Sequence, residues 1–265
     1  MNATVCNKDR ATIWVVGDST LALFHEDDAD RVGYGVELDR FFNATVFNLA
    51  HPGASSLSFT RLPEYRTLMD GDADTPALGD ASGERFLIIG FGHNDEKRDD
   101  RFTDPNGNRN VPGSFANSLY ENYIMPALER NVVPVLCTPI ARLPEENTSV
   151  SYCGRCVHVT QDDVVDGRLY RGGDYRKAVL GLAGELYLPF IDMTSATSAM
   201  YLELGDNAQR LFAHTGPEDD VSALDRTHTR ECGAMMNAWL LSVLSEKTAR
   251  CLYRWSIHRE RPDLT

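Results

Sequence analysis

The chain predicts an α/β fold, a three-layer α/β/α sandwich built on a five-stranded parallel sheet. Three observations carry this expectation. Short, nearly continuous apolar runs alternate with longer stretches of helical spacing. The runs are too short for helices, and most meet glycine or another turn former at once. Runs of that kind read as strands buried on both faces, as parallel strands joined by right-handed crossover helices are.

The elements follow in order. Residues 11–16 (ATIWVV) form the first strand, punctuated by Gly17-Asp18-Ser19-Thr20. Residues 33–43 have helical spacing through Val36, Leu38, Phe41 and Phe42, and 45–49 return to strand. Residues 84–89 (ERFLII) are the third strand, broken by Gly90 and Gly92. A helix is expected over 114–130 from Phe115, Leu119, Tyr123 and Leu128, then a strand over 132–138. A long stretch rich in turn formers runs from 139 to 173, with an irregular insertion at about 141–172. Helix resumes over 174–186, the last strand over 189–193, and another helix over 195–204. A polar stretch, 205–230, leads to a final helix over 231–247 and a charged tail, 250–265. No Gly/Ser linker, composition shift or internal repeat divides the chain, so one domain over 1–265 is expected.

Composition narrows the function classes. The 265 residues are 42% apolar and 25% charged, with a net charge of -13. That charge disfavours nucleic acid, whose recognition rests on Lys and Arg neutralising phosphates. The basic residues Lys97, Arg98, Arg101 and Arg109 alternate with Asp99, Asp100 and Asp104, which reads as a solvated charged loop. No apolar run approaches the ~20 residues that span a bilayer, so no membrane partner is expected. The start, residues 1–10, lacks the apolar core of a signal peptide, and a cytoplasmic location is expected, with a secreted mature form whose leader was removed as the alternative. The six cysteines, Cys6, Cys137, Cys153, Cys156, Cys232 and Cys251, are too dispersed for a disulfide scaffold. The close pair Cys153-Gly-Arg-Cys156 has no second CxxC or HxxxH nearby, which favours reduced thiols over zinc.

The chemistry sits at strand ends. In open α/β sheets, ligands bind outside the carboxyl ends of the strands. Gly17-Asp18-Ser19 follows the first strand, His51-Pro52-Gly53-Ala54-Ser55-Ser56 the second, and Gly90-Phe91-Gly92-His93-Asn94-Asp95 the third. Asp225-Arg226-Thr227-His228 precedes the last helix and would return to the same rim. A serine, a histidine and an aspartate meeting there are the parts of an acyl-transfer site. Ser19 is the candidate nucleophile, His228 its base, and Asp225 the group that orients the base. The N–H groups of Ser19 and Gly53 and the amide of Asn94 are candidate oxyanion donors. Each residue alone has a plainer explanation: a turn for Gly53 or Asn94, an Asx-turn or a helix N-terminal charge for Asp225, a cap neighbour for His228. Their joint order at strand ends makes those explanations improbable together.

These four blocks, Gly17-Asp18-Ser19, Gly53, Gly92-His93-Asn94-Asp95 and Asp225-Arg226-Thr227-His228, resemble those that define the SGNH (GDSL-like) hydrolase superfamily. Within it the chain is most similar to the rhamnogalacturonan acetylesterase-like branch, through GDST, FGHND and DRTHTRECGA and the segments 173–178 and 188–194. The resemblance covers about 12–245. It implies a flavodoxin-like sheet, no metal and no cofactor, with Ser19, Asp225 and His228 catalytic and Ser19, Gly53 and Asn94 forming the oxyanion hole. It implies removal of acetyl groups from plant cell-wall carbohydrate, so the expected partner is a small acylated carbohydrate, with the oligomeric state open. His93, beside Asn94, is expected either to contact sugar or leaving group, or to be a rim histidine bonded to a backbone carbonyl. The segment 141–172 departs from the branch pattern. Two alternatives stay open: a lipase or thioesterase of the same superfamily, and a non-catalytic carbohydrate-binding relative.

Overall fold

The computed structural model describes residues 10–25, 30–145, 154–216 and 221–264. Its elements begin with β1 (Ala11–Gly17), a 3-10 helix (Tyr34–Arg40), β2 (Thr45–Asn48), α1 (Pro63–Asp70) and β3 (Glu84–Gly90). Then come α2 (Phe115–Leu119), a π-helical turn (Tyr120–Ile124), α3 (Met125–Glu129) and β4 (Val133–Cys137). A hairpin of β5 (Asp163–Val165) and β6 (Arg168–Tyr170) precedes α4 (Tyr175–Leu186), β7 (Phe190–Ile191) and α5 (Met193–Leu204). The chain ends with β8 (Phe212–His214), β9 (Leu224–Thr229), α6 (Glu231–Thr248) and α7 (Arg250–Tyr253).

The main sheet has the order β2-β1-β3-β4-β7 with every pair parallel. This is the flavodoxin-like order, with its switch point between β1 and β3. Because side chains alternate across a strand, each strand feeds both faces. Trp14, Val16, Leu87, Ile89 and Leu136 pack on one side against α1 to α4. Ile13, Val15, Phe86, Ile88 and Val135 pack on the other, under the 3-10 helix, α6 and α7. The result is the expected three-layer α/β/α sandwich. A third cluster joins Ala141, Leu143 and Cys156 to Met200, Tyr201, Leu211, Phe212, Leu224 and Met236, which packs the expected insertion against α5 and the β8–β9 pair.

Several elements differ from the expectations in instructive ways. The helix over 33–43 is 3-10, over Tyr34–Arg40. The helix over 114–130 contains the π turn, and Pro126 supplies a reason. Proline has no N–H for the carbonyl of Asn122, four residues back, and the Tyr65 hydroxyl donates to that carbonyl instead (3.1 Å). The segment 141–172 is not irregular throughout. Asp166 and Gly167, both at positive φ, turn β5 into β6, as an Asp-Gly hairpin turn does. Cys156 is disulfide-bonded, which corrects the expectation of reduced thiols. Cys153 and residues 1–9, on which the leader expectation rested, lie outside the described residues. Cys137, Cys232 and Cys251 are free thiols. No described helix is long and apolar enough to cross a membrane, and the described residues hold no cluster suited to a metal ion.

Candidate active site

The switch point places two loops side by side. Gly17 and Gly90, the last residues of β1 and β3, are register partners. A Cβ on Gly17 would lie 2.5 Å from the Gly90 carbonyl oxygen, so the close approach of the two strands requires glycine there. The chain then turns through Asp18, Ser19 and Thr20. The buried Asp18 carboxylate ties that turn together, accepting from the N–H (2.9 Å) and hydroxyl (2.8 Å) of Thr20 and from the N–H of His93 (3.3 Å). Burial raises the Asp18 pKa, with the Thr20 and His93 bonds opposing it. Thus the first and third loops are bonded directly to each other. The second joins them through the His51 N–H, which donates to the Gly17 carbonyl (3.1 Å).

Ser19 and His228, 209 residues apart, meet with Oγ and Nε2 at 2.9 Å. On its other side the ring has Nδ1 at 2.8 Å from Asp225 Oδ2. Asp225 Oδ1 also accepts from the N–H groups of Thr227 (2.9 Å) and His228 (3.0 Å). The local Asx-type bonding and the side-chain contact to His228 therefore coexist. Burial alone would raise the Asp225 pKa, but hydrogen bonding and charge attraction from His228 overcome it and hold the carboxyl well below the usual carboxylate range. Asp225 and His228 lie on β9, which pairs with β8 and not with the main sheet. Phe24 packs edge-on against the His228 ring, centroids 5.7 Å apart.

The oxyanion candidates form a connected unit. Asn94 Nδ2 donates to the Ala54 carbonyl (3.0 Å), which spends one amide hydrogen and leaves the other. Among the described residues, the N–H groups of Ser19 and Gly53 make no hydrogen bond. Gly53 has φ +78°, and a Cβ there would meet nothing within 4 Å, so the left-handed backbone is what calls for glycine. Buried Asp95 stitches the second loop to the third. It accepts from the Ser56 N–H (3.1 Å), the Ser56 hydroxyl (2.6 Å) and the Thr103 hydroxyl (2.9 Å). Burial dominates its titration and pushes its pKa up to about 7.

His93 is not on the rim as expected. It is 2% exposed, and neither ring nitrogen has a hydrogen-bond partner. Its ring packs edge-on against His158, centroids 4.4 Å apart. Burial, helped by repulsion from His158, Arg142 and His228, holds its pKa well below the ordinary value, so the ring is neutral. His158 Nε2 donates to the Ile140 carbonyl (2.7 Å) and its Nδ1 lies 3.5 Å from Glu96, which also pairs with Arg142. The basic loop behaves as a solvated one: Arg101 pairs with Asp99, Arg109 with Glu185, and Arg98 donates to the Gln161 carbonyl. A cavity of about 620 Å³ beside it is lined by Glu96, Lys97, Arg98, Arg155, Thr160 and Asp163.

Sequence reasoning missed Arg31. Its Nε and a terminal guanidinium nitrogen each lie 3.0 Å from Asp225 Oδ2, the oxygen that faces His228. No local pattern marks a contact spanning 194 residues.

Comparison with known proteins follows the same lines. No family model matches the chain. It is 29% identical over 256 residues to rhamnogalacturonan acetylesterase RhgT of Bacillus subtilis (strain 168), covering 94% of this chain and 95% of the relative. It is 24% identical over 234 residues to the probable rhamnogalacturonan acetylesterase YesY of the same organism, covering 87% and 90%. Among solved structures, a catalytic mutant of an acetylxylan esterase from Geobacillus stearothermophilus superimposes with a TM-score of 0.53 at 15% identity, over 94% of this chain and 97% of that one. With the four blocks in place on this sheet, the chain is an ester hydrolase that resembles the rhamnogalacturonan acetylesterase-like branch of the SGNH superfamily.

Proposed function

We propose that the chain, as one domain, is a serine esterase that removes acetyl groups from acetylated carbohydrate derived from plant cell walls. The observation that carries the reading is the unbroken line from Ser19 Oγ to His228 Nε2 (2.9 Å) and from His228 Nδ1 to Asp225 Oδ2 (2.8 Å). The names of the relatives support the substrate class: two are rhamnogalacturonan acetylesterases, one of them designated probable.

A serine hydroxyl is a weak nucleophile until a base takes its proton, and a neutral imidazole within hydrogen-bond reach does so. Ser19 Oγ attacks the acetyl carbonyl as its proton passes to His228 Nε2. Asp225 holds the ring with Nδ1–H toward its carboxylate and stabilises the imidazolium. The carbonyl oxygen becomes an oxyanion held by the Ser19 and Gly53 N–H groups and the remaining Asn94 amide hydrogen. Collapse passes the proton from His228 to the departing sugar oxygen and leaves acetyl-Ser19. Water, deprotonated by His228, then releases acetate and restores the hydroxyl.

Phe24 packs edge-on against the His228 ring, an apolar contact suited to a methyl group. The other rim residues, among them His51, Glu64 and Arg101, are polar and fit a hydrophilic alcohol. The experiment is hydrolysis of p-nitrophenyl acetate and labelling by a fluorophosphonate probe, in the natural chain and in Ser19→Ala. The natural chain should hydrolyse and label; the folded variant should do neither. Full activity in Ser19→Ala removes Ser19 from the role, and sugar binding without labelling of the natural chain favours a non-catalytic relative.

A further inference from the structure

We infer that Arg31 is a positioning residue for the catalytic base, gripping the Asp225 oxygen that His228 uses and thereby limiting how strongly that carboxylate favours the imidazolium. The inference rests on the proposed roles of Ser19, Asp225 and His228.

The geometry is specific. Arg31 Nε and a terminal guanidinium nitrogen both contact Oδ2 at 3.0 Å, while His228 Nδ1 contacts the same atom at 2.8 Å. Oδ1 is occupied by the N–H groups of Thr227 and His228. The carboxylate thus has donors on both oxygens, and its plane is set from two sides. An arginine suits this task because its planar fork stays charged throughout the working pH range.

Arg31 does not reach Asp225 on a loose tether. The next residue, Val32, is held by two hydrogen bonds with Thr229: its N–H donates to the Thr229 carbonyl, and the Thr229 hydroxyl donates to the Val32 carbonyl, both 2.8 Å. The preceding residue, Asp30, accepts from the His214 N–H (3.1 Å) and pairs with Arg230 (3.1 Å). Residues 30–32 are therefore sewn to β8, to β9 and to the start of α6. The guanidinium is about one-quarter exposed, so its charge is only partly screened.

Among the described residues, the charged and titratable groups around the His228 ring come from four places. Asp225 lies on its own strand, Arg31 on the strap before the 3-10 helix, Ser19 on the turn after β1, and His93, neutral by burial, on the loop after β3. Arg31 is the one fixed positive charge among them. Two cations on one oxygen compete for it. Attraction between Asp225 and the imidazolium is weaker with Arg31 present, and the ring gives up its proton more readily. Between groups bonded to a common atom, a unit charge in a partly screened site shifts proton affinity by about one pH unit.

The test is the pH profile of kcat/KM, whose acid limb reports ionisation in the free enzyme. It is measured with p-nitrophenyl acetate for the natural chain, Arg31→Met and Arg31→Lys. In Arg31→Met the acid limb should move up by about one pH unit, with plateau kcat reduced severalfold and KM changed less. Arg31→Lys keeps the charge and should return most of the limb toward its natural position. The inference is overturned if Arg31→Met leaves the limb in place. It is also overturned if Arg31→Lys moves it as far as Arg31→Met, or if KM alone rises, which would make Arg31 a substrate contact. Should Arg31→Met fail to fold, Arg31→Lys and Arg31→Gln decide the same question, the first keeping the limb and the second moving it. Fluorophosphonate labelling of the natural chain keeps the outcomes apart. Absence of labelling defeats the serine-esterase proposal, whereas labelling with an unmoved limb defeats only the role of Arg31.

Discussion

Asp95 offers a perturbation whose size follows from its surroundings. The carboxyl is fully buried, and its pKa is pushed up to about 7 despite bonds from Ser56 and Thr103. An aspartate in the unfolded chain titrates near 3.9. The folded state therefore binds this proton more tightly, and between about pH 4 and pH 7 it carries more of it than the unfolded state does. Stability from this group is fully present below the unfolded value and is lost as pH rises through the folded one. About three pH units at 1.36 kcal/mol each amount to about 4 kcal/mol. Asp95→Asn abolishes the titration while keeping an acceptor for the Ser56 and Thr103 hydroxyls. Its NH2 replaces Oδ2, whose hydrogen bond is a shared one from the Ser56 N–H, so an offset of about 1–3 kcal/mol against the variant is expected at every pH. The assay is urea unfolding of both proteins from pH 4.5 to 8. Subtracting one from the other cancels the remaining titrating groups. The deficit of the variant should shrink by about 1.4 kcal/mol per pH unit up to about pH 7 and then stay level. A difference that stays flat across that range would show Asp95 titrating as an ordinary carboxylate and would refute the reasoning.

Further outcomes follow from the same geometry. Asn94→Ala should lower kcat on p-nitrophenyl acetate by about a hundredfold to a thousandfold, the cost of one oxyanion donor; an unchanged rate would put the donors elsewhere. Asp225→Asn should lower kcat by on the order of ten-thousandfold, because the amide favours the wrong imidazole tautomer; a loss under tenfold would leave His228 without need of it. Hydrolysis by the natural chain should decline as pH falls, since a protonated imidazole is no base, while Asp225 stays ionised well below the usual carboxylate range; a rate flat from neutral to acid pH would count against His228. Acetyl esters should be turned over faster than octanoyl esters, and the reverse order would favour a lipase of the same superfamily.

Much of the architecture was legible because its signals are local. Strands buried on both faces leave continuous apolar runs, and β1, β2, β3 and β4 lie within two residues of their expected limits. Asp174 and Asp192 cap α4 and α5 through the N–H groups of Lys177 and Ser195, as their spacing from the helical runs suggests. Other signals were present and unread. Leu62-Pro63 opens α1 with proline at the first helical position, and Asp166-Gly167 between Val165 and Arg168 marks a hairpin. The π turn needs Pro126 and the distant Tyr65 hydroxyl together, and the burial of His93 depends on His158, 65 residues along the chain. Neither could be found by inspecting neighbours. The polar stretch 205–230 concealed β8 and β9 because β8 has only three residues and β9 is buried only at its two ends, so neither shows apolar–polar alternation.

That last element bears on how the site is built. Ser19 and Asn94 stand on loops at the ends of strands in the central sheet, with Asp18 and Asp95 buried beneath them as hydrogen-bonded ties. His228 and Asp225 stand on β9, outside that sheet, held by β8, by the 30–32 strap and by α6. The proposed nucleophile and oxyanion donors thus belong to one body of structure and the proposed base with its carboxylate to another, and the two meet at the 2.9 Å contact between Oγ and Nε2 and through α6, which packs under the central sheet. Burial of Asp18 and Asp95 sets the first body at a cost in desolvation that bonds between loops offset only in part. The second relies on partly exposed ion pairs, in which Arg31 and Arg230 grip Asp225 and Asp30. Salt screens exposed pairs more than buried ones. Raising ionic strength should therefore loosen the proposed base before it disturbs the proposed oxyanion donors, so that kcat falls while the factor lost on Asn94→Ala stays the same. A factor that shrinks in step with kcat would show that the two bodies move as one.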